Sequence, residues 1–223
     1  SATLGSTAMV ETEAMTVTYS AASARIILMI GLIVFISFHV RHAFDQKEID
    51  VLVSRPLGRF QIVFSYWLGF SFVAFLLVLA TVTLMSFLPV TNMDGYIRWG
   101  VSLLCESWLV VAAALFSAFT LRSGVSAVLA TMALYVLGRM MGFFLATTDT
   151  GLMFHDRWVN TLVEWSMEII SIIVPRLDFF SHSDWLVYGV LRTEEPKLAI
   201  IEALIYIPLL LSATTIDFMR REF

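Results

Sequence analysis

Five long apolar runs dominate this sequence and limit what it can fold into. We call them spans A to E, and they cover residues 21–40, 62–88, 98–121, 125–146 and 198–216. A helix needs about 20 mostly apolar residues to cross a bilayer, and none of the runs shows the strict alternation of a barrel strand. Because a backbone in lipid must satisfy its own hydrogen bonds, we expect an all-α integral membrane protein.

Composition agrees with this interpretation and excludes several soluble classes. Hydrophobic residues make up 59% of the 223 residues and charged residues 14%, whereas soluble domains have roughly 45–50% and about 25%. The net charge of −4 provides no basic surface for nucleic acid. The single cysteine, Cys105, excludes an intrachain disulfide. We expect one transmembrane domain over residues 1–223.

Lysine and arginine residues near the span ends indicate the orientation. On one side they are Arg41, Lys47, Arg55, Arg59, Arg122, Arg220 and Arg221. On the other side, residues 1–20 contain no lysine or arginine. The first side, with the C-terminus, is therefore expected in the cytoplasm, and a bacterial inner membrane is the expected location. Since five spans place residue 1 outside, we expect a sixth span before Ser1.

The outer segment 147–197 separates spans D and E and is too long for a plain loop. Residues 156–174 have helical periodicity, and Pro175 then ends the helix. The apolar face comprises Trp158, Leu162, Trp165, Ile169 and Ile172. This pattern predicts an amphipathic helix, either at the outer interface or packed on the outer ends of the spans. Residues 198–223 then form the last span and a cytoplasmic tail.

The sequence contains no recognisable motif for ATP binding or catalysis. It lacks the G-x-x-x-x-G-K-[ST] phosphate loop, the G-x-S-x-G elbow and the H-E-x-x-H pair. His39, His42 and Asp45 follow one another at three-residue spacing, but a polar helix end explains them better than a metal site. We expect no catalytic residue, bound metal or cofactor in this chain.

Ionisable residues inside spans are costly in lipid, so they mark a candidate site. Glu106 in span C and Arg139 in span D each lie about seven residues from the outer end, roughly 10 Å deep. A short turn joins the two spans, so we expect an ion pair, with Glu202 in span E as a second candidate partner. Such a pair either locks the helices together, which we favour, or lines a polar path.

A G-x-x-x-G motif in span D, formed by Gly138 and Gly142, predicts close helix packing. Packing within the chain is the commoner use of such a motif, and dimerisation is the alternative.

The loop between spans A and B predicts a short amphipathic helix over residues 45–53, which residues 54–58 then break. Its apolar side chains, from Phe44, Ile49, Leu52 and Val53, would face the membrane or a partner. The helix would serve as a docking surface, or it would simply anchor the turn at the interface.

This loop resembles that of ABC exporter permeases of the type-2 family. The resemblance rests on an acidic residue in a short helix, an aliphatic pair and a Pro-x-x-Arg start to the next span. Here these stand as Glu48-Ile-Asp-Val-Leu-Val-Ser-Arg-Pro56-Leu-Gly-Arg59. The basic tail at 217–223 and the amphipathic segment before the last span are also similar. The resemblance implies six spans and a translocation path between two permease copies or a related pair.

The resemblance further implies that separate cytoplasmic P-loop ATPase subunits hold ATP and Mg²⁺. Residues 44–55 would bind in a cleft of the ATPase, with contacts from Phe44, Glu48, Ile49 and Leu52. Arg55 and Arg59 would anchor to phosphate headgroups of membrane lipid or to ATPase acids. The expected function is the transmembrane subunit of an ATP-driven exporter. Two alternatives stay open: an ATP-independent transporter or channel, and a membrane assembly subunit without transport.

Overall fold

A computed structural model describes residues 2–49, 58–88, 92–149, 165, 174–180, 185–188 and 196–220. Its helices are α1 (Ala2–Asp45), α2 (Arg59–Met85), α3 (Met93–Thr120), α4 (Gly124–Asp149), a 3₁₀ helix (Leu177–Phe180), α5 (Trp185–Tyr188) and α6 (Pro196–Arg220). Within these ranges the chain is helical and has no strand. The expected amphipathic helix 156–174, except Trp165 and Val174, lies outside the described residues, as do Leu52, Val53 and Arg55.

Five of these helices are long and apolar enough to cross a membrane. They span Ala14–Asp45, Arg59–Met85, Met93–Thr120, Gly124–Phe144 and Ala199–Arg220. The prediction of an all-α protein with five spans is therefore confirmed, and the chain has the helices of an integral membrane protein. The first helix begins earlier than expected, because no proline or glycine interrupts residues 6–30.

Helix α3 forms the centre of the bundle. In its most apolar stretch 72% of the residues are buried, against 22% to 39% in the other four spanning helices. Small buried side chains at Ala112, Ala113, Ala114 and Ala118 allow neighbouring helices to approach it closely. Helices α1, α2, α4 and α6 all pack on α3. Their outer faces keep exposed apolar side chains, as lipid contact requires.

The spanning helices alternate in direction, which gives the bundle two ends. The upper end holds the starts of α3 and α6, and the lower end holds Asp45, Arg59, Gly124 and Arg220. At the lower end the ring of Phe119 contacts three aromatic rings edge-on, with centroid distances of 5.2, 6.1 and 5.4 Å. These rings belong to Phe44 of α1, Tyr66 of α2 and Phe218 of α6. The end of α3 thereby holds three neighbours together.

Candidate functional site

A buried group of charged side chains joins three spanning helices near the upper end. We call Arg25, Glu106 and Arg139 the charge cluster. Arg25 Nη1 lies 2.8 Å from Glu106 Oε2, and Arg139 Nη1 lies 3.0 Å from Glu106 Oε1. The Arg25 and Glu106 side chains are fully buried, and that of Arg139 is 20% exposed. The ion pair expected between Glu106 and Arg139 is thus present, with Arg25 as an additional partner.

Hydrogen bonds extend the charge cluster to neighbouring groups. The Tyr135 hydroxyl donates to Glu106 Oε1 over 3.3 Å, so both carboxylate oxygens have partners. Arg25 Nη2 donates to Ser102 Oγ over 3.0 Å, and Arg25 Nη1 also donates to the carbonyl oxygen of Phe180. The cluster therefore ties α1, α3 and α4 to the 3₁₀ helix Leu177–Phe180.

Helical spacing places these side chains together. On α3, Ser102 and Glu106 are four residues apart and share the face toward α1. On α4, Tyr135 and Arg139 have the same spacing and share the face toward α3. Arg25 reaches between the two helices, and its guanidinium lies 5.4 Å from the centroid of the Trp99 ring.

The charge cluster lies within the apolar layer of the bundle. Glu106 is 14 residues before Thr120 at the lower end of α3, which corresponds to about 21 Å of helix. Arg139 is 15 residues after Gly124 at the lower end of α4, or about 22 Å. The hydrocarbon core of a bilayer is about 30 Å thick. These charges are therefore inside a membrane layer where an unpaired ion is very costly.

This arrangement holds helices together and leaves little room for ion transfer. A carboxylate that carries an ion or a proton through a membrane needs an accessible oxygen. Both oxygens of Glu106 are occupied by arginine or tyrosine donors and are buried. Removing one partner of such a buried pair leaves an uncompensated charge, so the cluster favours one arrangement of its four segments.

Among the described residues, Glu202 forms no ion pair with the charge cluster, to which the sequence assigned it as a second candidate partner. Its Oε1 accepts a hydrogen bond from the backbone N–H of Arg176, just before the 3₁₀ helix. The Arg176 guanidinium pairs with Asp178 at 2.9 Å. Helix α6 turns Glu202 toward residues 176–178, and the acid therefore satisfies a backbone donor that begins the 3₁₀ turn.

The two glycines of the G-x-x-x-G motif allow residues 175–178, at the upper end of the bundle, to lie directly on α4. A Cβ atom on Gly138 would lie 2.5 Å from the carbonyl oxygen of Pro175, and one on Gly142 would overlap the Asp178 carboxylate. Larger residues at either position would push the segment away. In this chain the motif thus serves internal packing, as the commoner interpretation predicts, although its partner is a short segment and not a spanning helix.

The junction between α1 and α2 combines inward and outward side chains. Helix α1 ends at Asp45, Lys47 adopts a left-handed conformation with φ 57°, and the chain is helical again at Glu48 and Ile49. Glu48 is exposed, whereas Ile49 is fully buried in a core to which all five spanning helices contribute. Glu48 therefore lies at the surface, next to a residue that is part of the core.

The structure places two of the predicted ATPase contacts, Phe44 and Ile49, against the core of the chain. Ile49 has no exposed surface, and the Phe44 ring packs edge-on against Phe119 with centroids 5.2 Å apart. The periodicity identified an apolar face but did not show what covers it. The Phe44 ring packs on the lower end of α3, and Ile49 is part of the same core.

Arg59 has a role within the chain that the sequence did not indicate. Its Nη1 donates to the carbonyl oxygens of Phe218 over 2.6 Å and Met219 over 3.1 Å, at the last turn of α6. A cation at a helix C-terminus satisfies free carbonyl groups and the helix dipole. Arg59 therefore links the start of α2 to the end of α6; its contact with headgroups or ATPase acids stays a prediction.

Comparison with known proteins adds no family assignment. The chain matches no known protein family, and no characterised protein shows significant similarity to its sequence.

Proposed function

We propose that this chain is the transmembrane subunit of an ATP-driven exporter of the type-2 ABC family that its A–B loop resembles. A separate P-loop ATPase, carrying ATP and Mg²⁺, binds the lower end of the bundle. A second copy or a related permease completes the translocation path. The lower end is the cytoplasmic end in this proposal, as the arginine and lysine distribution favours.

The observation that carries the proposal is the geometry of the junction between α1 and α2. Glu48 is exposed, while the next residue, Ile49, is buried in the core that the five spanning helices share. A force applied to this surface therefore reaches the spanning helices through the buried Ile49 side chain. A docking site that is connected to the core in this way suits a subunit in which closure of the ATPase must move the spanning helices.

A second link extends this coupling to α6. Arg59 lies at the start of α2 and binds the last carbonyl groups of α6. Movement of the loop by the ATPase would therefore displace the lower ends of α1, α2 and α6 together. The charge cluster meanwhile holds the upper parts of α1, α3 and α4. ATP binding would then shift the population between two arrangements of the lower end around a fixed upper end.

The exposed carboxylate of Glu48 allows a direct test. The variant Glu48→Lys reverses one charge on the proposed docking surface, and like charges across an interface cost several kcal/mol. We expect the amount of ATPase that co-purifies with the tagged protein in mild detergent to fall at least tenfold. The matched control is Asp94→Lys, which makes the same charge change at the exposed upper end of α3.

Equal ATPase recovery with Glu48→Lys and with the wild type would remove the junction from the docking surface. Loss of ATPase with both variants would show that the charge change acts through the fold and not through the junction. Size-exclusion profiles of the purified variants establish that each is folded before recovery is compared.

A further inference from the structure

A groove between α1 and α2 opens on the lipid-facing side of the lower half of the bundle. Its cavity volume is about 460 Å³, and its lining includes Phe35, His39, Ser65, Tyr66, Gly69 and Phe70. Small-molecule sites usually have volumes of about 300–1,000 Å³. This groove is therefore large enough for a substantial part of a membrane-soluble molecule.

The groove lies close to the boundary between headgroups and acyl chains. His39 is six residues before the end of α1 at Asp45, and Tyr66 is seven residues after the start of α2 at Arg59. Both therefore lie about 9–10 Å inside the lower helix ends. A lipid of the lower leaflet would place its polar glycerol or ester region at this depth.

Three polar side chains line this groove without hydrogen-bond partners in the described part of the chain. They are His39, Ser65 and Tyr66. Their imidazole and hydroxyl groups can each donate and accept a hydrogen bond. Polar groups that face lipid without partners are unfavourable, and three of them around one groove indicate a ligand with hydrogen-bonding groups.

The charges around the groove favour a ligand with a neutral head. No lysine or arginine is among the described residues that line it, although these are the residues that hold phosphate headgroups. The exposed Glu48, at the same lower end of the bundle, adds negative charge that disfavours an anion there. A quaternary ammonium would leave the three hydrogen-bonding side chains unsatisfied, so a neutral hydroxyl or carbonyl group matches the site best.

The rest of the groove lining is apolar and suits the apolar part of a ligand. The rings of Phe35 and Phe70 each lie 5.7 Å from the His39 ring and 6.1 Å from each other. Gly69 leaves the groove open, because a Cβ atom added there would have no described heavy atom within 4 Å. The groove thus has an aromatic wall, an open floor and polar groups at a single depth.

We propose that this groove binds a neutral amphiphile from the lower leaflet, a lipid of the diacylglycerol type with free hydroxyl and ester carbonyl groups. His39, Ser65 and Tyr66 bind its polar part, and the acyl chains run past Phe35 and Phe70 over Gly69. This site does not depend on an ATPase partner. Its test can therefore succeed or fail separately from the exporter proposal.

The test uses the purified full chain in lipid nanodiscs with a photoactivatable diacylglycerol, and mass spectrometry locates the labelled residues. We expect labelling at residues 35–39 and 65–73 that unlabelled diacylglycerol suppresses and phosphatidylglycerol does not. Gly69→Leu should fill the groove and lower the labelling there at least tenfold. Gly31→Leu is the matched control, because Gly31 is equally open and does not line the groove.

A second variant tests the polar contacts without filling the groove. Combining Ser65→Ala with Tyr66→Phe removes two hydroxyl groups and keeps the ring that contacts Phe119. Loss of about two hydrogen bonds should weaken labelling roughly tenfold. Labelling spread evenly over the lipid-facing helices, equal competition by phosphatidylglycerol, or unchanged labelling of Gly69→Leu would each overturn the proposal.

Discussion

Replacing Glu106 with glutamine should be the most damaging single change in the charge cluster. Glu106 neutralises two arginines, with N–O distances of 2.8 Å to Arg25 and 3.0 Å to Arg139. Glu106→Gln keeps the shape of the side chain but leaves two cations facing each other in a buried site. Removing one partner of a buried ion pair costs about 3–5 kcal/mol. For a chain of this length, that lowers the melting temperature by about 6–20 °C.

The comparison with Arg139→Gln makes this prediction specific. That variant keeps the Arg25–Glu106 pair, and the Arg139 side chain is 20% exposed. Its loss is that of a hydrogen bond to a charged group, about 1.5–3 kcal/mol. We therefore expect Arg139→Gln to lower the melting temperature by about half as much as Glu106→Gln.

The assay is size-exclusion chromatography of purified protein after heating, with the monodisperse fraction measured against temperature. The triple variant Arg25→Met, Glu106→Leu and Arg139→Met replaces all three charges by apolar groups. Such replacements of buried charge clusters are often neutral or stabilising, so the triple variant should recover most of the lost stability. If Glu106→Gln proves as stable as Arg139→Gln, the proposal that the charge cluster holds the helices together is refuted. If it is as stable as the wild type but inactive in transport, the cluster instead lines a path.

Two further changes test the packing at each end of the bundle. Gly138→Ala forces a methyl group against the Pro175 carbonyl and should cost about 1–3 kcal/mol by overpacking; Gly31→Ala, which has open space, should leave the melting temperature unchanged or slightly raised. Equal melting temperatures for these two alanine variants would contradict the close approach at Gly138. Arg59→Gln should speed hydrogen exchange in the last turn of α6, where Phe218 loses a charged donor, while exchange in the central turns of α3 stays unchanged. Unchanged exchange around Phe218 would show that this contact is unimportant for the end of α6.

Hydropathy predicted the helices well because a spanning helix needs a run of consecutive apolar residues, and such a run is visible in the sequence. The ends of the spans were less accurate, since residues 14–20 continue the first helix without a breaker. Glu106 and Arg139 could be paired from the sequence because a short turn joins their helices and sets them at one depth. Arg25 was missed because it lies 81 positions from Glu106 along the chain. An arginine inside an apolar run was nevertheless a signal that a buried partner existed.

What the sequence did not indicate is which way several of these side chains face. Glu202 occupies the depth range that the sequence implied, but the rotation of α6 directs it to Arg176. Ile49 belongs to an apolar face, yet its neighbour is the core and not a partner. Periodicity identifies a face and its polarity, while the element that covers the face depends on contacts distant in sequence. Arg59 shows the same limit, because its acceptors lie on the last helix.

The most direct test of the exporter proposal is purification of the full-length tagged protein from its native membrane in mild detergent, with mass identification of its partners. We expect a stoichiometric P-loop ATPase that stays bound to the wild type and is lost from Glu48→Lys. A folded, monodisperse preparation without any ATPase would contradict the exporter proposal and leave a protein that works without ATP or serves as an assembly subunit.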